Sequence, residues 1–272
     1  MNNPTKKDFI KWIVRASVEG FAEWFKWRHE WELDNPDGTL NMKIHNIFIA
    51  KLWPDIQYYS ALVRSLDSSL WNMLEKMAIN IAKWFYDVNN KVDWFIHQEQ
   101  VRVIEDLLES YKDRWNWNKP KVTDYEKIRL AKTWENHHKI HISDYYLLDK
   151  DTNIHYLVEL KIWWDLDNKK ARSEKEAIFE QYAILSNSLD IDAQIECKFA
   201  TAYNRFWEWN DWKQERVKQF FSDDELLIWK DFWNFICKDE QGFDMVIEAY
   251  EESAWIIREA LDNIKNLYLK NN

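Results

Sequence analysis

Glycine is nearly missing from this chain: there are three in 272 residues, set against nineteen tryptophans. Average usage near ~7% would supply roughly 19 glycines. Turns with positive φ lean on glycine because it lacks a Cβ, so a folded domain of this length with three is hard to build. The stretches Arg114-Trp115-Asn116-Trp117-Asn118-Lys119-Pro120 and Phe206-Trp207-Glu208-Trp209-Asn210-Asp211 would read as turns if their tryptophans were glycines. Two readings stay open. In one, many of these codons are UGA, read as glycine by the source organism and as tryptophan here. In the other, the chain is truly tryptophan-rich and uses its indoles for stacking. UGG at most of the nineteen positions would end the first reading.

Apolar residues at 46% and charged residues at 31% provide for a sizeable core and argue against wholesale disorder. No apolar run approaches the ~20 residues of a membrane helix, and the opening Met-Asn-Asn-Pro-Thr-Lys-Lys lacks the apolar centre of a signal peptide. Cys197 and Cys237, the only cysteines, cannot build a disulfide scaffold or a four-ligand zinc site. The expectation is a soluble cytoplasmic protein with no membrane partner. A net charge of −10 speaks against nonspecific nucleic-acid binding. It leaves room for a nuclease, whose metal site gathers carboxylates while local basic clusters touch phosphate.

No internal repeat is visible. The periodicity predicts helices over 6–31, 59–86 and 97–112, the second stepping through Leu62, Leu66, Leu70, Met73, Met77 and Ile81 by fours and threes. Asn35-Pro36-Asp37-Gly38 reads as a turn and 113–125 as a polar loop. Two runs of strand character, 139–148 and 154–162, flank the turn-rich Asp149-Lys150-Asp151-Thr152-Asn153, which predicts a β-hairpin. A charged loop (163–172), a helix (173–187) and a strand (194–203) follow. Closing helices end with Ile257, Leu261, Ile264 and Tyr268 along one face. This order implies one α/β or α+β domain with a helical surround.

The chemistry sits in the hairpin. Residues two apart in a strand share a face, so Glu159 and Lys161 project together while Val158, Leu160 and Ile162 face away. Asp144, on the preceding strand, is expected to share its face with Ile142 and Tyr146. The hairpin can therefore gather two carboxylates and an ammonium. Such oxygens suit Mg²⁺, and a lysine beside the reacting water can orient it and offset charge on a phosphate. By itself the pattern also fits a strand whose Glu-x-Lys lies on a solvated face.

The order Asp144, Glu159-Leu160-Lys161, then a helix bearing Glu180-Gln181, resembles the PD-(D/E)xK nuclease superfamily. Residues 142–150, 158–177 and 226–237 resemble the TdeIII-like type II restriction endonucleases more closely; residues 1–58 carry no such likeness. The resemblance implies a restriction-endonuclease-like α/β core, a central mixed sheet flanked by helices, with helical N- and C-terminal additions. It implies one nuclease domain over 1–272, with a helical part (1–112), a catalytic sheet core (113–205) and a helical C-terminal part (206–272). It implies Mg²⁺-dependent, sequence-specific hydrolysis of double-stranded DNA by a homodimer, in a bacterial or archaeal cytoplasm, with a cognate DNA methyltransferase as functional partner. Asp144 and Glu159 would hold the metal, and Lys161 would be the catalytic lysine. Ser143 stands where the superfamily name has proline, a mild departure. Trp163 and Trp164 stand where the resemblance has glycines.

Further residues are candidates. Glu75, on the long second helix, is a candidate third metal ligand or an ordinary exposed glutamate. Gln181 either orients the site or touches DNA, or is a solvated helix residue. Lys169, Lys170, Arg172 and Lys175 either hold phosphates or, interleaved with Glu174 and Glu176, form a solvated charged face. Arg114, Lys119 and Lys121 form a second basic cluster. His137, His138 and His141 are read as non-ligands. Two other functions remain: a PD-(D/E)xK nuclease of repair or defence, and a non-enzymatic tryptophan-rich binding module.

Overall fold

The computed structural model describes residues 5–35, 37–38, 46–49, 51–112, 118–161, 167–204, 206 and 210–270. Arg114, Trp115, Trp117, Trp163, Trp164, Trp207 and Trp209 lie outside the described residues. The chain forms two compact units, residues 1–81 with 243–272 and residues 82–242.

The first unit is helical. Helix α1 (Lys6–Asp34) starts at a capping box in which Thr5 and Asp8 satisfy each other's backbone N–H groups. Helix α2 (Pro54–Phe85) belongs to this unit up to Ile81, and the last helix (Gly242–Lys270) follows later in the chain. Val18, Phe21 and Phe25 from α1 pack with Leu62 and Met73 from α2 and with Ile257, Ile264 and Tyr268 from the last helix. The stepping by three and four that predicted these helices is the stripe that is buried.

The second unit carries a five-stranded mixed sheet in sequence order. Strands β1 (Tyr86–His97), β2 (Asn136–Asp149) and β3 (His155–Lys161) are antiparallel neighbours; β4 (Ile195–Thr201) and β5 (Leu226–Ile228) continue it in parallel. Between β1 and β2 lie α3 (Gln98–Ser110) and α4 (Asp124–Leu130). The β3–β4 crossover is α5 (Asn168–Ser188), a short α6 (Glu215–Lys218) precedes β5, and α7 (Lys230–Cys237) follows it. Ile178, Phe179, Tyr182 and Leu185 of α5 pack against Leu157, Cys197 and Phe199 on one sheet face. On the other face, Tyr145 meets Phe232 of α7, and Tyr86 and Tyr156 meet Phe235. The expected α/β class, mixed sheet and helical additions are present.

Three elements depart from expectation. Strand β1 went unread because Asn89, Asn90, Lys91 and Asp93 break its alternation. Helix α4 begins inside the expected polar loop, and α5 begins at Asn168, capped by the Asp167 carboxylate on Lys170 N at 2.8 Å.

Tryptophans behave in two ways. Trp233 is buried, and its indole N–H donates to the Ala202 carbonyl at 3.0 Å. Trp229, the N-cap of α7, sits at φ 53°, ψ −100°, dihedrals close to those of the first central position of a type II′ turn, where glycine dominates. Trp134 is fully exposed, and Trp12, Trp27, Trp31, Trp53 and Trp255 are more exposed than buried.

Candidate active site

The hairpin is as expected. Strands β2 and β3 pair from Tyr145↔Val158 to Leu148↔His155. Their turn is fixed by the Asp149 carboxylate, which accepts from the N–H groups of Asp151 (2.7 Å) and Thr152 (3.1 Å), an Asx turn. Asn153 takes the positive φ of 57° that asparagine tolerates.

An irregularity in β2 aims Asp144. Asn89 of β1 faces Tyr146, but Lys91 faces Ile142, so residues 143–145 stand against Asn90 alone. The alternation slips there. Lys139 and His141 point to α5, where Glu180 binds both at 2.7 and 2.6 Å. Tyr146 packs into the same face, an odd number of residues further on. Asp144 shares that face with Tyr146, whereas Ile142 lies opposite His141's face and is well exposed. Ile142 is therefore corrected. Bulges of this kind re-aim side chains beside active sites. Ladder pairing ends at Tyr145↔Val158, and the next N–H inward on β3, that of Leu160, donates to Asp144 Oδ2 at 3.0 Å. A carboxylate thus stands where a ladder carbonyl would.

Lys161 is the centre of the cluster. Its ammonium donates to Glu159 Oε1 and lies 3.1 Å from Glu174 Oε2 and 3.8 Å from Asp144 Oδ2. Glu174 belongs to α5 and was not singled out from the sequence. It lies on the stripe Ala171, Glu174, Ile178, Gln181, Leu185, of which the other four are buried; reading that stripe as sheet-facing would have found it. Burial, then the neighbouring Asp144 charge, push Glu159 up to about 8. Burial opposes the charge on Lys161, but the carboxylates around it, Glu159 first, outweigh that and hold its pKa above the usual lysine value.

Three carboxylates against one ammonium leave an excess of negative charge in a largely enclosed place. The donor set is hard oxygen, and Glu159 surrenders charge by taking up a proton. Among the described residues no group of three or more His, Cys, Asp or Glu side chains is arranged to hold a metal ion. Mg²⁺, however, is commonly held by one or two carboxylates, with water and substrate phosphate completing it. Asp144 and Glu159 fit that requirement.

The cluster stands at the carboxyl end of β3, where parallel sheets place ligands. A family profile for the type II restriction endonuclease HinfI matches residues 10–254. The chain belongs to the HinfI family of type II restriction endonucleases. No protein of curated function and no solved structure matches it. The family is one of site-specific DNA endonucleases, which sustains the type II assignment drawn from the TdeIII-like likeness while giving HinfI as the family. The HinfI match also takes in most of residues 1–58, which carried no likeness.

The other candidate residues of this HinfI-family chain lie on several elements. Glu75 lies on α2 in the helical unit, partly buried. Gln181 is 2% exposed, so the solvated alternative is corrected. Lys169 and Lys170 are exposed in the first turn of α5, while Arg172 is partly buried against Glu176 at 3.4 Å. Lys175 is fully buried and is no phosphate contact on this surface. His138 pairs with Asp93 at 2.7 Å and His141 with Glu180. No described helix is long and apolar enough to cross a membrane.

Proposed function

We propose that this chain is a Mg²⁺-dependent restriction endonuclease that hydrolyses phosphodiester bonds in double-stranded DNA at a specific sequence. The observation that carries the reading is the convergence of Asp144, Glu159 and Lys161 on one sheet face. Asp144 and Glu159 would hold the cation. When bound, it supplies Lewis-acid polarisation of the phosphate. Asp144 is held in place by the Leu160 N–H. Lys161 donates to the attacking water, keeps it in line with the scissile phosphorus and offsets the negative charge that builds there. Glu174 holds the lysine ammonium over the strand end. Lys169 and Lys170, at the start of α5, suit the flanking phosphates.

The HinfI match, over residues 10–254, takes in residues of both compact units, which supports treating residues 1–272 as one nuclease domain. The TdeIII-like pattern over 142–150 and 158–177 is read as the same strand arrangement recurring among such enzymes. A homodimer would match two-fold symmetric DNA sites. A cognate DNA methyltransferase in the same bacterial or archaeal cytoplasm would protect the host genome.

The test is digestion of plasmid and phage DNA with Mg²⁺ or with EDTA, by the wild type and by Glu159→Ala and Lys161→Ala. Discrete Mg²⁺-dependent fragments from the wild type alone are expected. Full cleavage by either variant overturns the assignment of roles.

A further inference from the structure

Beside Lys161 the next strand carries Thr201, which has no part in holding the cation or the lysine. Strands β3 and β4 pair in parallel with Glu159 opposite Phe199 and Lys161 opposite Thr201. Paired residues of adjacent strands point to the same face, on backbones about 4.8 Å apart. Phe199 is buried against α5 on that face; Thr201, two residues on, shares it with Lys161. Thr201 is 7% exposed, and its hydroxyl oxygen is buried with no hydrogen-bond partner among the described residues. Its backbone is committed elsewhere, since the carbonyl accepts from Trp229 N at 2.8 Å.

An unpaired buried hydroxyl is costly, and such groups are few in native structures. Valine has the same shape, favours strands equally and carries no such cost. The Thr201 hydroxyl is thus left with its hydrogen-bonding capacity uncommitted beside Lys161. A buried water needs two to four polar partners, and Lys161 alone supplies donors only. Thr201 adds a group that both donates and accepts, next to Lys161, at the carboxyl end of the strands.

We infer that Thr201 is a further catalytic residue, its hydroxyl holding the attacking water together with the Lys161 ammonium. This rests on the nuclease reading above. Because the water is held only during reaction, loss of the hydroxyl slows the chemical step and leaves DNA affinity intact.

The experiment compares wild type, Thr201→Val and Thr201→Ser in three measurements: single-turnover cleavage with Mg²⁺, DNA affinity with Ca²⁺ in place of Mg²⁺, and thermal unfolding without DNA. Thr201→Val should cut about 10- to 100-fold more slowly, the size expected when a reacting group is misplaced. Its affinity should stay within about two-fold and its unfolding midpoint should be unchanged or higher, because the burial cost is removed. Thr201→Ser should recover most of the rate. Cleavage by Thr201→Val at the wild-type rate overturns the inference. So does a lowered unfolding midpoint, which would mean that the hydroxyl has a partner inside the fold. A wild type that cuts no DNA overturns the nuclease reading itself, and this inference with it, and is told apart because it precedes any comparison of variants.

Discussion

Two lysines where α5 meets the sheet are both clamped by glutamate, and the clamps do not add up alike. Lys175 is fully buried and faces one carboxylate, Glu225, itself 2% exposed. The rings of Tyr125, Phe179 and Phe221 surround its ammonium at 4.8, 4.3 and 4.9 Å. Tyr125 donates to one Glu225 oxygen, and the Ser222 N–H and hydroxyl donate to the other at 2.8 and 2.9 Å. The one ammonium there has the one carboxylate as its counter-charge, and it lies over ring faces. Lys161, 26% exposed, faces Glu159, Glu174 and Asp144 at once. A balanced, sealed pair holds the fold together. An unbalanced, partly open one holds a place for something positive.

The contrast is broken first by activity. Lys161→Ala and Glu159→Ala should each lower DNA cleavage by about 10²- to 10³-fold, the range for removal of one stabilising group, with far-ultraviolet circular dichroism unchanged. Glu225→Gln should act through stability instead. Breaking a buried pair costs about 3–5 kcal/mol, read as a lower midpoint in urea, while Lys175→Met with Glu225→Leu should recover most of it. Wild-type stability in Glu225→Gln would show that the sealed clamp is not structural.

The hairpin and its Asp144, Glu159 and Lys161 were legible because strand alternation is local and two residues long. The long helices were legible for the same reason, at a period near 3.6. What escaped depends on partners distant in sequence. Glu174 joins Lys161 only because α5 crosses back over β3. Lys175, one residue on, turns about 100° away into the core, so two neighbours that look alike in sequence part company. The slip at residues 143–145 turns Asp144 away from Ile142's face, and nothing local in Ile142-Ser143-Asp144-Tyr145 announces it. Thr201 acquires meaning only through its register with Lys161.

Acidity sharpens the contrast further. Glu159 titrates near 8 in the fold, because of burial and then Asp144, against an ordinary value of 4.5. Between those values the folded protein holds a proton that the unfolded chain has released. Stability from this group is therefore fully present below pH 4.5 and is lost as pH rises through about 8. In EDTA the wild type should be less stable at pH 8.5 than at pH 5, and Glu159→Gln should remove on the order of 3 kcal/mol of that difference. An identical pH dependence in the two proteins would contradict the excess of negative charge.

The smallest effect is in the backbone beside the open cluster. Trp229, at φ 53° with its N–H on Thr201 O, should gain about 1–2 kcal/mol on substitution by glycine, because strain of this kind costs ~1–3 kcal/mol in non-glycine residues. Trp233→Gly should instead destabilise, since that indole is buried and hydrogen-bonded. The codons should follow, UGA at 229 and UGG at 233. A loss of stability in Trp229→Gly would favour a chain that is truly tryptophan-rich.

The central claim is that the unbalanced cluster takes a divalent cation in order to cut DNA. Calorimetric titration of Mg²⁺ into the wild type, Glu159→Gln and Glu225→Gln, each with uncleaved phage DNA digested in parallel, tests it most directly. Saturable binding and discrete fragments are predicted for the wild type and for Glu225→Gln below its unfolding temperature, with both lost in Glu159→Gln. Binding and cutting that survive in Glu159→Gln would contradict the account.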